Sequence, residues 1–345
     1  MLLSASVERD TDEFFGQSYE QLLAEYRWLQ RTLPQALPDA ATRAYLDGVT
    51  LHVILDGGRE IHFSLLRGPL PAPRPPSIRM PYALFRRLLF IDFGQFLTVE
   101  EFLAQLEREA NEHGTMAGLD VLLLKSVAAV WFDLSYRAAE LFFASEQNLR
   151  DYFYNSQAVL RWWHEGKLQQ RPHFTYTKLL CEVIDPAQKT LLDIGCGLGR
   201  FRRLYDRAGT AILADISLPM LQHARAASNN PRWFFCQADS NHAPFARGID
   251  IIIAMQMMMH IAEPFKLLQK LAPILEEDGV IWTDFTCSSR LTAGFRQESF
   301  FTRLYSAEHV LEQCCRHGFD VEFTMEFPER HKNHWLAVKL RPRRR

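Results

Sequence analysis

The sequence predicts an α/β C-terminal half behind a mostly α-helical N-terminal half that carries a β-hairpin. Three observations predict this. From Thr175 onward, short apolar β-rich runs alternate with stretches of helical periodicity, the beat of a parallel sheet with crossover helices. One of those runs, Thr190–Ile194, breaks directly into Gly195-x-Gly197-x-Gly199. Before residue 165 the period is helical except for one stretch of strict alternation. The boundary is set there, dividing 1–165 from 166–345.

In the first half, Phe14, Phe15, Leu22, Leu23, Tyr26, Leu29 and Leu33 recur at helical spacing over 12–46, interrupted by Pro34 and Pro38. Over 48–67, Val49, Leu51, Val53 and Leu55 alternate, Asp56-Gly57-Gly58 turns, and Ile61, Phe63 and Leu65 alternate on the return. That hairpin sets His52 near His62. Spacing fixes no third ligand, so a structural or solvent-facing role is expected and no metal site. Pro69 to Pro76, with Pro81, reads as an extended connector outside any regular element. Thr98-Val-Glu-Glu101 is a capping box opening a helix through Ala110, with Gly114 beyond its end. Residues 119–147 form one or two strongly apolar helices, for a core or an oligomer contact. Tyr152, Phe153, Tyr154, Trp162 and Trp163 are dense enough to be core, with some lining a pocket.

In the second half, a helix over 175–184 precedes the strand 190–194. Thr210–Asp215 is the next strand, and Ser217-Leu-Pro219 opens a helix. Trp233–Asp239 and Gly248–Gln256 follow as strands. Met257 to His260 then lead into a crossover helix that ends near Leu275. Glu276-Glu-Asp-Gly279 is read as a turn and Val280–Asp284 as the fifth strand. A helix capped by Ser306 runs to Gly318, and Val321–Phe327 pairs with His334–Leu340 as an antiparallel hairpin.

The glycine loop marks the ligand site. Alternate glycines after a strand let a ligand approach the backbone closely, and the helix-like run behind them is expected to aim its first N–H groups there. The dinucleotide fingerprint fails, because its third glycine falls on Arg200 or Arg202. A phosphate loop is absent. Asp193, ahead of the glycines, would repel a pyrophosphate and suits a ligand carrying an ammonium group. Asp215 follows Gly199 by 16 residues, near the distance at which a carboxylate takes both ribose hydroxyls.

With Asp239-Ser240 and the strand Gly248–Gln256, these motifs resemble those of the class I S-adenosylmethionine-dependent methyltransferases over residues 172–341. The resemblance implies a Rossmann-like sheet of seven strands closed by an antiparallel hairpin, with S-adenosyl-L-methionine as cofactor. It assigns cofactor contacts to Asp193, Gly195, Cys196, Gly197, Gly199, Asp215, Ile216, Asp239, Ser240, Met255 and Gln256. Asp239-Ser240 would meet the adenine amine. At the turn before the fifth strand only Gly279 remains of the family's usual Pro-Gly-Gly.

The implied activity is methyl transfer to oxygen, nitrogen or carbon of a small-molecule acceptor, in specialised metabolism. His260, after the fourth strand, is the expected general base; its alternative is a helix-start histidine bonded to backbone. Gln256 and Asp284 are further polar candidates, and Glu298, His164, His173 and Tyr176 lie in segments that could form a lid. Residues 1–165 would close over the substrate or contact a carrier protein or a second copy in a homo-oligomer. The alternatives are a protein- or RNA-modifying methyltransferase and a non-catalytic S-adenosylmethionine-binding scaffold subunit.

Composition narrows the classes. A net charge of -2 over 345 residues gives no general attraction to nucleic acid or anionic membrane, and the basic end Arg341-Pro-Arg-Arg-Arg345 reads as a solvated terminus. Six cysteines form no C-x-x-C pair, so free thiols and a reducing compartment are expected. The runs Val121–Phe132 and Ile249–Ala262 fall short of the ~20 residues of a membrane helix. No basic n-region opens the sequence. A cytoplasmic protein is expected.

Overall fold

Apolar side chains recur at strand and helix periods in two separate stretches, and each builds its own core. The computed structural model describes residues 19–55, 58–89, 91, 98–112, 116, 118–144, 171–240, 245–299, 302–328 and 333–344. The chain divides into two compact units, Met1–Ser145 with Gln297–Phe301, and Glu146–Arg296 with Thr302–Arg345. The expected boundary at 165/166, the aromatic run 152–163, His164 and the side chains of His173 and Glu298 lie outside what is described.

In the first unit, α1 (Tyr19–Ala36) carries Pro34 in its last turn, and α2 (Ala40–Asp47) starts where Asp39 accepts from the Thr42 N–H. The expected hairpin forms between β1 (Thr50–Ile54) and β2 (Glu60–Ser64), with His52 directly opposite His62 and their rings stacked at 4.8 Å.

The proline-rich stretch departs from expectation. Its two ends are strands, β3 (Gly68–Leu70) and β4 (Ser77–Pro81), in a four-stranded sheet ordered β3-β2-β1-β4. Both are edge strands, where a residue without an N–H leaves no ladder bond broken. Ile78 and Met80 are buried while Ser77 and Arg79 are exposed, an alternation that the flanking prolines obscured.

Three helices follow: α3 (Tyr82–Leu89), α4 (Val99–Glu112) and α5 (Gly118–Ala144). Thr98 caps α4 by accepting from the Glu101 N–H. The apolar run is one helix, and it buries Leu124, Val127, Ala128, Trp131 and Ala138 in the same core as Phe85 of α3 and Phe102 of α4. No helix among the described residues is long and apolar enough to cross a membrane.

Among the described residues, the second unit begins at α6 (Arg171–Val183) and contains a nine-stranded sheet. The strands are β5 (Thr190–Ile194), β6 (Thr210–Asp215), β7 (Trp233–Gln237), β8 (Ile249–Ala254), β9 (Leu275–Ser288), β10 (Phe295–Ser299), β11 (Thr302–Tyr305), β12 (Phe319–Pro328) and β13 (Asn333–Pro342). Seven of them follow the order β7-β6-β5-β8-β9-β13-β12. Neighbours from β7 to β9 are parallel, and β13 is antiparallel to both β9 and β12. This is the Rossmann-like sheet with its closing antiparallel hairpin. The short strands β10 and β11 are additional, β11 pairing with β9 at Tyr305 and Cys287.

Alternate residues of the inner strands point to opposite faces. Leu192, Ile252 and Ile281 enter one core, and Leu191, Ile251 and Trp282 the other. The helices α7 (Arg202–Arg207), α8 (Leu218–Ala226), α9 (Pro264–Leu271) and α10 (Ala307–Arg316) connect them.

The expected turn Glu276-Glu-Asp-Gly279 lies inside β9. Ile249 pairs with Leu275 and Ile251 with Val280, so the turn-forming residues are extruded as a bulge and the strand continues beyond them.

The cap of α10 gives a direct test. Ser306 Oγ is buried and accepts from the His309 N–H at 3.2 Å. Ser306→Ala is expected to cost about 1 kcal/mol, read in urea as a lower midpoint at unchanged slope; an unshifted midpoint would contradict the cap.

Candidate cofactor and active site

The sheet fixes where a ligand can sit. The chain runs from β5 outward through β6 to β7, then returns to place β8 on the other side of β5. The crevice opened by that reversal, at the carboxyl ends of β5 and β8, is the switch point where open α/β sheets bind ligands. Gly195–Gly199 leaves the end of β5, and Met255–His260 leaves the end of β8.

All three glycines have positive φ: 72° at Gly195, 54° at Gly197 and 75° at Gly199. At Gly195 a Cβ would stand 3.1 Å from Met257 Sδ, and at Gly199 3.3 Å from the Ala224 Cβ. Packing thus accounts for two of them. At Gly197 the nearest atom would be Met220 Sδ at 3.8 Å, so protein crowding does not require that bareness.

The loop spends its amides on the protein. Gly195 and Cys196 donate to the Ala214 carbonyl, Gly199 to the Cys196 carbonyl, and Gly197 to Asp215 Oδ2 at 2.8 Å. The helix behind is also shorter and later than expected. Turns occupy 198–201, and α7 begins at Arg202 with six residues and no side-chain cap. The expected aiming of helix N–H groups at the ligand is therefore corrected. The tight turns that the glycines permit delay the helix.

Asp215 is buried at the end of β6. Its Oδ1 accepts from the Ser217 N–H and its Oδ2 from the Gly197 N–H, each at 2.8 Å. Burial raises its pKa, and the backbone hydrogen bonds oppose that rise. The backbone of Ile216 adds a third, weaker hydrogen bond, and carboxylate oxygens offer about four lone-pair sites in all, so acceptor capacity remains. Ile216 follows, half-buried. Asp239 and Ser240, also half-buried, stand just past β7, the neighbour of β6. Asp215, Asp239, Ser240 and the glycine loop thus leave the carboxyl ends of three adjacent strands.

Asp193 and Cys196 are buried. Asp193 shares its face of the sheet with Tyr205, whose hydroxyl donates to Asp193 Oδ2. Burial pushes Asp193 up to about 7, countered by that hydrogen bond and by the charge of Arg200. Burial and the charges of Asp215 and Asp193 push the Cys196 thiol well above its ordinary range, which keeps it protonated.

At the end of β8, Met255 and Gln256 are buried. Gln256 is a non-glycine residue at φ 54°, and its N–H donates to Asp284 Oδ1 at 2.5 Å. Asp284 Oδ2 accepts from Tyr176 at 2.6 Å. Tyr176 is fully buried, because α6 presents Tyr176 and Leu180 to the core, with Ile184 just past its end. Its candidacy for a lid is corrected by that packing. His260 sits half-buried in the turn Met258–His260, with its backbone N–H on the Met257 carbonyl at 2.8 Å.

Sequence reading missed Arg200, Tyr205 and the pairing of Tyr176 with Asp284. Arg200 Nη1 donates to Gln256 Oε1 at 2.6 Å, and Nη2 to the Met255 carbonyl at 3.3 Å. The usable signal was chemical: an acid inside an apolar strand needs a donor from the next helix. Among the described residues no three His, Cys, Asp or Glu side chains are grouped to hold a metal.

This geometry defines a Rossmann-like domain for a nucleoside cofactor that is not a dinucleotide. The second unit carries a domain of the class I S-adenosylmethionine-dependent methyltransferase family; residues 192–283 match the family described as Methyltransferase domain. S-adenosylmethionine is the cofactor of that family.

The residues present fit this cofactor. At Gly197 a Cβ would meet no described atom closer than Met220 Sδ at 3.8 Å, and acceptors at Asp215 and Asp239 suit a sugar diol and an exocyclic amine. A diphosphate would meet a carboxylate and spent amides.

The chain is 22% identical over 166 residues to the ubiquinone biosynthesis O-methyltransferase of Nitrosomonas europaea, covering 45% of this chain and 67% of that protein. It is 27% identical over 133 residues to that of Actinobacillus pleuropneumoniae, covering 36% and 54%. The matches thus span between about half and two thirds of those relatives. Among solved structures, magnesium protoporphyrin IX methyltransferase from Synechocystis with bound S-adenosylmethionine aligns over 56% of this chain and 96% of its own, at 18% identity and a TM-score of 0.45.

Asp193 generates a pH prediction. Its folded pKa of about 7 lies above the ordinary 3.8, so the folded state holds the proton more tightly. Its contribution to stability is full below about pH 4 and is lost as pH rises through about 7. Asp193→Asn, which keeps an acceptor for Tyr205, is expected to flatten the fall in urea midpoint between pH 5.5 and 8. An unchanged slope would show that another group sets it.

Proposed function

We propose that the chain transfers a methyl group from S-adenosylmethionine to a small-molecule acceptor, and that the acceptor atom is oxygen. The observation that carries the reading is the bare, amide-spent loop at the switch point, tied to Asp215. The names of the curated relatives favour oxygen. When bound, the cofactor supplies a methyl group already activated on a sulfonium.

Each residue then has a role in the proposal. Asp215 accepts from the ribose hydroxyls with its remaining acceptor capacity, and Asp239 with Ser240 meets the adenine amine. Gly195, Cys196, Gly197 and Gly199 give the close backbone approach, with Ile216 lining the sugar side. Asp193, pushed up to about 7 beneath the loop, favours an ammonium above it in its ionised form. Met255 and Gln256 close the site at the end of β8. The acceptor must place its nucleophilic oxygen in line with the departing sulfur, which is chiefly a matter of positioning. His260 takes the proton from that hydroxyl, a step an imidazole performs near neutral pH. The first unit closes over the acceptor or contacts a second copy or a carrier protein.

Calorimetry tests the cofactor roles. Wild-type protein is expected to bind S-adenosylmethionine, and Asp215→Ala to lose at least about tenfold in affinity, the scale of one charged hydrogen-bond partner. Gly197→Ala should lose affinity with a stability cost of only about 1–2 kcal/mol, that of a side chain in the left-handed region. Unchanged affinity in both variants would reject this placement of the nucleoside.

His260 is tested by turnover. With a panel of catechols and hydroxybenzoates and S-adenosylhomocysteine release as the readout, His260→Ala is expected to lower turnover by about 10²–10⁴-fold. Wild-type turnover in that variant would remove His260 from the chemistry.

A further inference from the structure

Arg200 stands immediately after Gly199, and its half-buried guanidinium lies 4.8 Å from the centre of the Phe201 ring. Its two hydrogen-bond acceptors, Gln256 Oε1 at 2.6 Å and the Met255 carbonyl at 3.3 Å, are both neutral. No carboxylate of the described residues comes within ion-pair distance of it. Asp193 and Asp284 feel its charge from further away, and their bonded oxygens are held by Tyr205 in one case and by Tyr176 and the Gln256 N–H in the other. A guanidinium carries five N–H donors. Two are accounted for, and the plane is steadied by the Phe201 ring.

The support behind Arg200 is rigid. Gln256 is held at φ 54° with its N–H on a buried acid, a conformation that persists only where the surroundings enforce it. Gln256 then offers its side-chain oxygen to Arg200. The result is a cation held at the switch point by neutral groups, beside the loop that leaves β5. A fixed guanidinium fork is matched in shape and charge by a carboxylate.

We propose that Arg200 is a carboxylate-binding residue of this site, with Gln256 and Asp284 as positioning residues behind it. The inference rests on the methyltransferase reading. The carboxylate comes either from the amino-acid end of the cofactor or from the acceptor, and the same chemistry serves both.

The test measures binding by calorimetry, for wild type and Arg200→Gln. The ligands are S-adenosylmethionine, decarboxylated S-adenosylmethionine, and benzoate titrated into protein saturated with S-adenosylhomocysteine. If the cofactor supplies the carboxylate, wild type prefers S-adenosylmethionine over its decarboxylated form by at least about tenfold, and the variant brings the two within about twofold. If the acceptor supplies it, that ratio is unmoved and the variant loses the benzoate binding seen in wild type. Equal weakening of both adenosyl ligands, or no change in any of the three, overturns the proposal and leaves Arg200 as a strut for Gln256. Arg200→Lys keeps the charge without the fork and should retain part of the preference. Should Arg200→Gln fail to fold, a lysine variant with wild-type preference and wild-type benzoate binding overturns the proposal in its place. Wild-type protein that binds neither adenosyl ligand rejects the methyltransferase reading, and this inference with it.

Discussion

The carboxylate of Asp215 ties together the two loops from which the site is built. One oxygen holds the Gly197 N–H and the other the Ser217 N–H, so the exits of β5 and β6 are locked to a single buried side chain. Burial works against the ionised form there, and hydrogen bonds from backbone N–H groups offset part of that cost. The Gly195 and Cys196 amides on the Ala214 carbonyl repeat the same tie one residue earlier on β6. Without them the glycine loop would be free to sample many shapes, since glycines add chain entropy.

Three buried acids lie around this loop, and each is compensated differently. Asp215 is met by backbone N–H groups, Asp193 by the Tyr205 hydroxyl, and Asp284 by the Tyr176 hydroxyl with the Gln256 N–H. Burial raises all three pKa values, so each acid is held closer to its neutral form than an exposed carboxylate would be, and its hydrogen bonds oppose that rise. Arg200 answers part of that charge at longer range. Polar networks of this kind are costly unless each member is paired, and here the pairs come from elements flanking the strands rather than from the loop itself.

The parallel strands were legible because buried β-rich runs such as Thr190–Ile194 and Thr210–Asp215 end on residues that cannot continue them. Asp215 was legible through its distance from the glycines, and the caps at Thr98 and Ser306 through side chains that compete for backbone N–H groups. Three features were hidden by local signals that tertiary pairing overrode. Prolines at 69 and 81 argued against strands, yet an edge position removes the objection. Glu276-Glu-Asp-Gly279 has turn chemistry, yet its neighbours on β8 keep β9 continuous around a bulge. Tyr176 reads as part of a lid segment and Tyr205 gives no signal of its own, because which buried acid a hydroxyl will reach is decided by the sheet.

The donor and acceptor balance of the site constrains what it can hold. Four loop amides are already bonded to the protein, and the side chains that face the strand ends at Asp215 and Asp239 are acceptors. A ligand there must therefore bring its own donors, as hydroxyls, an amine and an ammonium do. A phosphate brings only acceptors and would gain little. Arg200 is the exception in this arrangement: a donor with a full charge, held by neutral partners. An acceptor-lined pocket with one such cation selects a molecule that is a donor over most of its length and an anion at a single point.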